Sequence, residues 1–255
     1  MLRLLDERIV AKATPNGKPG IWTSKFGSSV VTRNRRDQQR ERSLEEEGVT
    51  KFRADHDVRA FPAHRRAAMA PLLSARKEMF AERWIGEDAA RYGGVGYGNV
   101  SIRIGPKGRA RGERSFAISG TQTSGMAQVG IDQFALVEAY DVRRNWVRAC
   151  GQVSPSSESM THGMVYDLDP DIGAVLHAHW PELWLARWRL GLPSTPADVA
   201  YGTPEMAQAV RKLWEQCAVK TSRVFAMSGH QDGIVAFGTS AAEALQVLLE
   251  HKRMI

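Results

Sequence analysis

The chain has 255 residues, of which 43% are hydrophobic and 25% are charged, and it carries seven net positive charges. These values are ordinary for a soluble globular protein and allow one large domain, or one domain plus a tail. No run approaches the ~20 consecutive apolar residues that a membrane span needs, so a membrane partner is not expected.

The excess positive charge is concentrated near the N-terminus. Residues 1–43 contain ten Lys/Arg and four Asp/Glu, which leaves 25 basic and 24 acidic residues in the rest of the chain. The body of the protein is therefore nearly neutral, and we expect no nucleic-acid partner, because a basic arm of this kind is usually just solvated. The two cysteines, Cys150 and Cys217, are too few for a disulfide framework and fit a reducing, cytoplasmic location.

Residues 1–47 show no sustained hydrophobic period and contain a wholly polar run at 33–40. This composition predicts a disordered, basic N-terminal extension, followed by a single domain at residues 48–255. Two alternatives remain open: a misassigned start site, and a transit peptide, which would be rich in Arg and Ser. Asp6 and Glu7 argue against the transit peptide.

From about residue 60 onward, strand and helix signals alternate. An apolar stripe at helical spacing predicts a helix over 63–84, and a glycine-rich loop at 93–99 follows it. Further helices are predicted from Ser156 or Ser157 as N-cap to Leu168, from Thr203 to about Cys217, and from the capping box of Ser240 and Glu243 onward. Alternating or apolar runs predict strands at 100–104, 115–119, 134–140, 146–150, 172–179, 223–227 and 233–237.

Hairpins in the middle of the chain, with helices in flanking positions, predict an α/β fold with α+β character. We expect a central mixed, largely antiparallel β-sheet.

The segment His177-Ala178-His179 ends an apolar strand. Residues i and i+2 of a strand point to the same face, with Cα atoms roughly 6–7 Å apart. That spacing allows both imidazoles to coordinate one metal ion through metal–nitrogen bonds of about 2.0–2.1 Å. Two structural histidines at a strand end would give the same pattern.

A catalytic zinc site needs a third protein ligand and an open position. His230, in the turn Gly229-His230-Gln231-Asp232-Gly233, is the candidate that we favour, although a lone histidine in a turn is more often structural. Asp232 competes with it, because in an extended segment both side chains would face the same way.

Donor-rich turns surround these histidines in the sequence. Ser156 and Ser157 precede Glu158 at a predicted helix N-terminus, where N–H groups attract anions and a carboxylate can act as an acid/base. The turns around Asn99 and around Ser119 and Thr121 could hold an anion, or could be plain hairpin connections.

In this order, the motifs resemble the class II aldolase/adducin family over about residues 65–255. The segments that carry the resemblance are Gly98–Arg103, Phe116–Thr121, Ser156–Glu158 with His162, Val175–His179, Tyr201–Thr203 and Gly233–Gly238. The nineteen-residue gap between Glu158 and His177 is also similar to the spacing in L-fuculose phosphate aldolase.

The resemblance implies a homotetramer with active sites at subunit interfaces. It also implies zinc, or another divalent metal, on His177, His179 and a third ligand, Glu158 as the acid/base carboxylate, and Asn99, Ser156 and Ser157 as phosphate contacts. Zinc would stabilise the enediolate of a small hydroxy-carbonyl substrate, sugar-like or sugar-phosphate-like, during carbon–carbon bond cleavage or formation.

Other functions within the family remain open. An epimerase, dehydratase or decarboxylase would use the same metal, whereas an adducin-like module would bind partners without catalysis. Alignment on Gly233 places Asp232 at the third ligand position, and Gly120 and Gln122 replace the proline and glycine of the family's phosphate turn. The substrate could therefore lack phosphate or carry a carboxylate instead. Tyr201 is a candidate for the proton-donating tyrosine.

Overall fold

The computed structural model describes residues 50–216 and 218–255. The predicted N-terminal extension, residues 1–47, and Cys217 lie outside the described residues.

The described residues form eight strands, six α-helices and short 3-10 segments. The strands are β1 Arg53–Val58, β2 Asn99–Arg103, β3 Phe116–Ser119, β4 Phe134–Asp141, β5 Trp146–Gly151, β6 Ala174–His179, β7 Val224–Ala226 and β8 Gly233–Gly238. The helices are α1 Ala70–Ala81, α2 Ser159–Leu168, α3 Pro181–Ala186, α4 Pro204–Glu215, α5 Ala218–Ser222 and α6 Ala241–Lys252.

All eight strands join one sheet in the order β1-β5-β4-β3-β2-β6-β8-β7. Only β1 and β5 pair in parallel, and every other neighbouring pair is antiparallel. The predicted fold class, a mixed and largely antiparallel sheet with flanking helices, is confirmed.

The sheet is buried on both faces by helices. Alternate residues of β6 point to opposite sides. Leu176 packs in the core cluster that contains Leu72 of α1 and Leu248 of α6. Val175 packs in the second cluster, with Met164 of α2 and Met206 and Val210 of α4. Because helices bury both faces of the sheet, the sequences of the central strands are apolar runs.

The first predicted helix is shorter than expected. A 3-10 segment spans Ala63–Met69, and α1 begins at Ala70, with a proline in its first turn, and ends at Ala81. The predicted serine N-cap of α2 is also wrong. Glu158 holds the N-cap position and caps through no side-chain bond, whereas the Ser156 hydroxyl accepts a hydrogen bond from the Glu158 N–H at 3.3 Å.

Three elements have no counterpart in the sequence prediction: β1, α3 and α5. Strand β1 reads Arg-Ala-Asp-His-Asp-Val and is almost wholly exposed at the sheet edge. It contains no apolar alternation because neither of its faces is buried, so hydrophobic periodicity cannot reveal it. Within the described part of the chain, no helix is long and apolar enough to cross a membrane.

Gly98 determines how the chain enters β2 beside the candidate site. Its φ is +72°, and a Cβ there would stand 2.7 Å from the Trp84 carbonyl oxygen and 3.0 Å from that of His177. Both contacts are to backbone, which cannot move aside as a flexible side chain can. Glycine is therefore required at this position.

We predict that Gly98→Ala lowers the free energy of unfolding by about 2 kcal/mol or more, from left-handed strain and overpacking combined. Urea denaturation measures the change. Gly108→Ala is the matched control, because a Cβ there meets nothing within 4 Å, and its effect should stay within about 0.5 kcal/mol. Equal denaturation midpoints for the two variants would contradict the prediction.

Candidate metal centre

His177 and His179 lie at the end of β6, between β2 and β8 near the middle of the sheet. Both side chains are buried, with exposures of 1% and 0%. Their i, i+2 spacing places the rings on one face of the strand, with centroids 5.0 Å apart. The two predicted ligands are therefore adjacent and shielded from bulk water.

His230 reaches the same place from the tight turn between β7 and β8. Its N–H donates to the Met227 carbonyl, and its own carbonyl accepts from the Gly233 N–H, both at 3.0 Å. Nitrogen atoms of the three histidines lie within 4.8 Å of one another. Nε2 of His230 is 3.0 Å from Nε2 of His179, close to the roughly 3.3 Å that separates two nitrogens on one tetrahedral zinc.

Asp232 does not join this cluster. The turn gives it a φ of +64°, so the expectation of an extended segment with Asp232 and His230 facing the same way is wrong. Its carboxylate instead accepts a 2.6 Å hydrogen bond from the Tyr92 hydroxyl, inside the protein. Of the two candidates for third ligand, the structure brings His230 to the histidine pair.

Burial keeps the three imidazoles neutral. It lowers the pKa of His177 to about 3, and it lowers the pKa values of His179 and His230 well below the usual range, with repulsion from the neighbouring histidines adding to the effect. Neutral imidazole is the form that offers a nitrogen lone pair to a metal.

Asn99, the first residue of β2, lies against the histidine pair. Its carboxamide is 3.2 Å from Nδ1 of His177, and Nε2 of the same ring is buried without a hydrogen-bond partner among the described residues. Either end of a carboxamide can face such an atom. With the oxygen facing, it accepts the Nδ1 proton and leaves the lone pair on Nε2, as second-shell partners of metal ligands do.

Glu158 approaches the histidines from the start of α2. It is 2% exposed, and its Oε1 lies 3.7 Å from Nε2 of His230. Burial raises the pKa of Glu158 to about 7, against the opposing effects of the Thr161 hydroxyl and the Lys51 charge. Both protonation states are therefore accessible near neutral pH, as an acid/base group requires.

A cavity of about 220 Å³ opens beside His177 and Glu158. Its other lining residues are Val95, Gly96, Gly98, Asn99, Gly120, Thr121, Gln122, Ser124, Ser156 and Ser157. The lining includes every predicted anion contact except Ser119, whose hydroxyl accepts a 3.1 Å hydrogen bond from the Val100 N–H instead. We therefore leave Ser119 out of the site, because its oxygen joins β3 to β2.

Several residues beside the site escaped the sequence analysis. The Tyr92 ring packs edge-on against His179, with centroids 4.7 Å apart, and Arg91 donates to the Tyr92 hydroxyl at 2.7 Å. Lys51 lies 4.2 Å above the ring of Tyr201, and the Tyr201 ring is tilted against His230, with centroids 4.5 Å apart. No motif marks Arg91, Tyr92 or Lys51, because Lys51 precedes β1 and the other two begin a short 3-10 segment, and only the fold determines where these segments lie.

Comparison with known proteins identifies the family. The model of the Class II Aldolase and Adducin N-terminal domain matches residues 87–255, and the chain belongs to this family. A search of curated proteins gives no match.

Solved structures share the fold at low sequence identity. An L-fuculose 1-phosphate aldolase superposes with a TM-score of 0.53 at 18% identity, covering 76% of this chain and 84% of that one. YgbL, a putative aldolase/epimerase/decarboxylase from Escherichia coli, gives 0.52 at 17%, covering 74% and 87%. Its Klebsiella pneumoniae counterpart gives 0.51 at 19%, covering 74% and 86%. At these identities the likeness concerns the fold alone.

The buried histidines predict an acid-sensitive metal-free protein. An unfolded histidine takes up a proton near pH 6.5, whereas folded His177 stays neutral down to a pKa of about 3. Between these values the unfolded state binds more protons, so stability is present above the unfolded pKa and is lost as the pH falls. His177 contributes a slope of about 1.4 kcal/mol per pH unit.

Urea unfolding in the presence of a chelator, from roughly pH 7.5 to 5, measures this dependence. His177→Gln should lose stability less steeply as the pH falls, because it removes one proton-binding group of the unfolded state. Identical slopes for the wild type and the variant would show that His177 does not contribute.

Proposed function

We propose that the protein is a zinc-dependent lyase of the aldolase type, which cleaves or forms a carbon–carbon bond in a small hydroxy-carbonyl substrate. The main supporting observation is that three buried, neutral imidazoles lie close together, and that one of them, His177, lines a cavity together with Glu158, a carboxyl group of pKa about 7. Membership of the class II aldolase family supports the same assignment.

His177, His179 and His230 would hold the metal. Three imidazole nitrogens are a donor set that suits zinc, and three protein ligands leave a position open for substrate. Nε2 of His177, buried without a hydrogen-bond partner among the described residues, is the kind of atom that a bound ion would satisfy. Zinc held there supplies Lewis-acid polarisation of a carbonyl or hydroxyl oxygen.

Glu158 would take and return the proton. Its carboxylate lies beside His230 and lines the cavity, so it is within reach of both the metal ligands and a bound substrate. Because its pKa is about 7, the deprotonated form can accept a proton from carbon or oxygen, and the protonated form can return one. Asn99 would orient His177 through the contact with Nδ1.

The cavity favours a small substrate whose anionic end is held by neutral donors. Among the described residues, none that lines it is Lys or Arg, and Thr121, Ser124, Ser156 and Ser157 bring hydroxyl groups to it. Gly120 replaces the proline of the family's phosphate turn, and this chain requires glycine at that position, because a Cβ would stand 2.3 Å from Cγ2 of Val153. We propose a substrate that carries one phosphate or carboxylate group.

The non-catalytic reading has less support. A binding module has no need of three converging buried histidines beside a carboxyl group.

We also propose, from the family, a cytoplasmic homotetramer. Leu185 and Trp188 are 70% and 69% exposed, and exposed apolar side chains of this size suit a subunit interface.

Zinc content and turnover test the assigned roles. We expect one zinc per chain in the wild type, loss of zinc and of activity in His177→Ala, and retained zinc with turnover lowered by at least about 100-fold in Glu158→Gln. Metal analysis after reconstitution and steady-state kinetics provide the readouts. Loss of metal in the glutamate variant would overturn its acid/base role, and a wild type that binds no zinc would favour the binding module.

A screen of hydroxy-ketones and hydroxy-acids, each with and without phosphate, would identify the substrate. The Glu158→Gln protein, matched in zinc content, is the control for background reaction of the metal. Product analysis separates aldol cleavage, which gives two carbonyl fragments, from epimerisation, dehydration and decarboxylation. Cleavage is the expected outcome.

The third ligand is tested by a pair of variants in one turn. We expect His230→Ala to lose stoichiometric zinc and Asp232→Ala to retain it, because Asp232 is bonded to Tyr92 rather than directed at the histidine pair. Since both substitutions shorten a buried side chain in the same turn, the comparison controls for local destabilisation. Retained zinc in His230→Ala would refute the assignment.

A further inference from the structure

Arg76 is a buried cation to which the proposed chemistry gives no role. It lies on α1 and is 2% exposed. No carboxylate among the described residues forms an ion pair with it, and burial lowers its pKa. Buried charges are normally paired, because desolvation is costly. An arginine buried in this way requires another explanation.

The hydrogen-bond partners of Arg76 all belong to one turn, and its guanidinium also lies over the Phe80 ring, 5.5 Å from the centroid. Its Nη2 donates to the carbonyl oxygens of Thr123 at 3.0 Å, Ser124 at 3.2 Å and Met126 at 2.6 Å. This turn forms part of the cavity wall, through Gln122 and Ser124. Arg76 therefore binds the wall of the proposed site from behind, without reaching the cavity itself.

The carbonyl groups that face Arg76 determine where the N–H groups of the turn point. In a trans peptide unit, the C=O of one residue and the N–H of the next point in opposite directions. Because the Thr123 and Ser124 carbonyls point to Arg76, the N–H groups of Ser124 and Gly125 point away from it. Neither N–H donates a hydrogen bond to any described residue.

Gln122 adds a third such donor. Its φ is +58°, a left-handed conformation that is unusual for a residue other than glycine. Its N–H also has no acceptor among the described residues. Successive N–H groups in a turn of this kind form a concave site for anions.

We propose that Arg76 is a positioning residue for recognition of the substrate's oxyanion. It fixes the carbonyl groups of Thr123, Ser124 and Met126 on the far side of the cavity wall, so that the N–H groups of Gln122 and Ser124, which line the cavity, remain available to a phosphate or carboxylate. Its charge, unpaired among the described residues, adds attraction for the anion. The inference rests on the proposed function, because that function places substrate in this cavity.

Titration with inorganic phosphate, and separately with acetate, tests the proposal by calorimetry on the full chain, with and without zinc. We expect Arg76→Gln, which keeps a donor but removes the charge, to weaken anion binding by about tenfold or more. Arg76→Lys should weaken it less. Zinc content should be unchanged in both variants, since Arg76 does not contact the histidine triad.

Thr123→Val is the matched control for loosening of the turn. It removes the 2.7 Å bond from the Thr123 hydroxyl to the Gly120 carbonyl and leaves Arg76 in place. If this variant weakens anion binding as much as Arg76→Gln does, or if Arg76→Gln binds anions like the wild type, the role of the charge is refuted.

Amide hydrogen exchange of the wild type tests the anion site on which the proposal depends, even if the Arg76 variants do not fold. Added phosphate or acetate should slow exchange in residues 121–126. No protection and no measurable binding of either anion would overturn the inference. Zinc binding by the wild type would still support the proposed metal chemistry, so the two failures are distinguishable.

Discussion

The site depends on the exclusion of water from three imidazoles that lie close together. In water a histidine is partly protonated near neutral pH, and protonated rings 3 Å apart would repel each other. Inside this sheet, burial makes the charged forms of His177, His179 and His230 costly. The rings therefore tolerate their proximity and keep their lone pairs available. Asn99 and Glu158 both lie against this neutral cluster.

The antiparallel pairing around β6 explains how distant segments meet there. Since β6 runs antiparallel to both of its neighbours, its C-terminal end lies beside the starts of β2 and β8. The register places Asn99 opposite His177, and Gly233 opposite His179. The turn that precedes Gly233 then carries His230 to the cluster. Strand direction alone thus brings three separate stretches of sequence to one end of the sheet.

The sequence predicted those features that leave a local pattern. Apolar runs identified seven of the eight strands, and the spacing of His177 and His179 predicted a shared face. The exposed strand β1 had no such pattern. The choice between His230 and Asp232 also lay beyond the sequence, because it depends on the left-handed backbone at Asp232 and on Tyr92, 140 residues earlier. In the sequence, Arg76 is indistinguishable from a solvent-exposed charged residue of a helix, and only the structure shows that it is buried.

No Lys or Arg is found among the described residues that line the cavity, which is consistent with the role proposed for Glu158. A lysine or arginine in contact with an anionic substrate would also stabilise the ionised carboxylate and lower its pKa. Lys51 already has this effect, but it is smaller than the opposing effect of burial, and the pKa of Glu158 stays at about 7. Hydroxyl and N–H groups can hold an anion without a full positive charge beside the carboxyl group. With its cation placed behind the turn, the proposed site would combine anion recognition with a carboxyl group able to exchange protons at neutral pH.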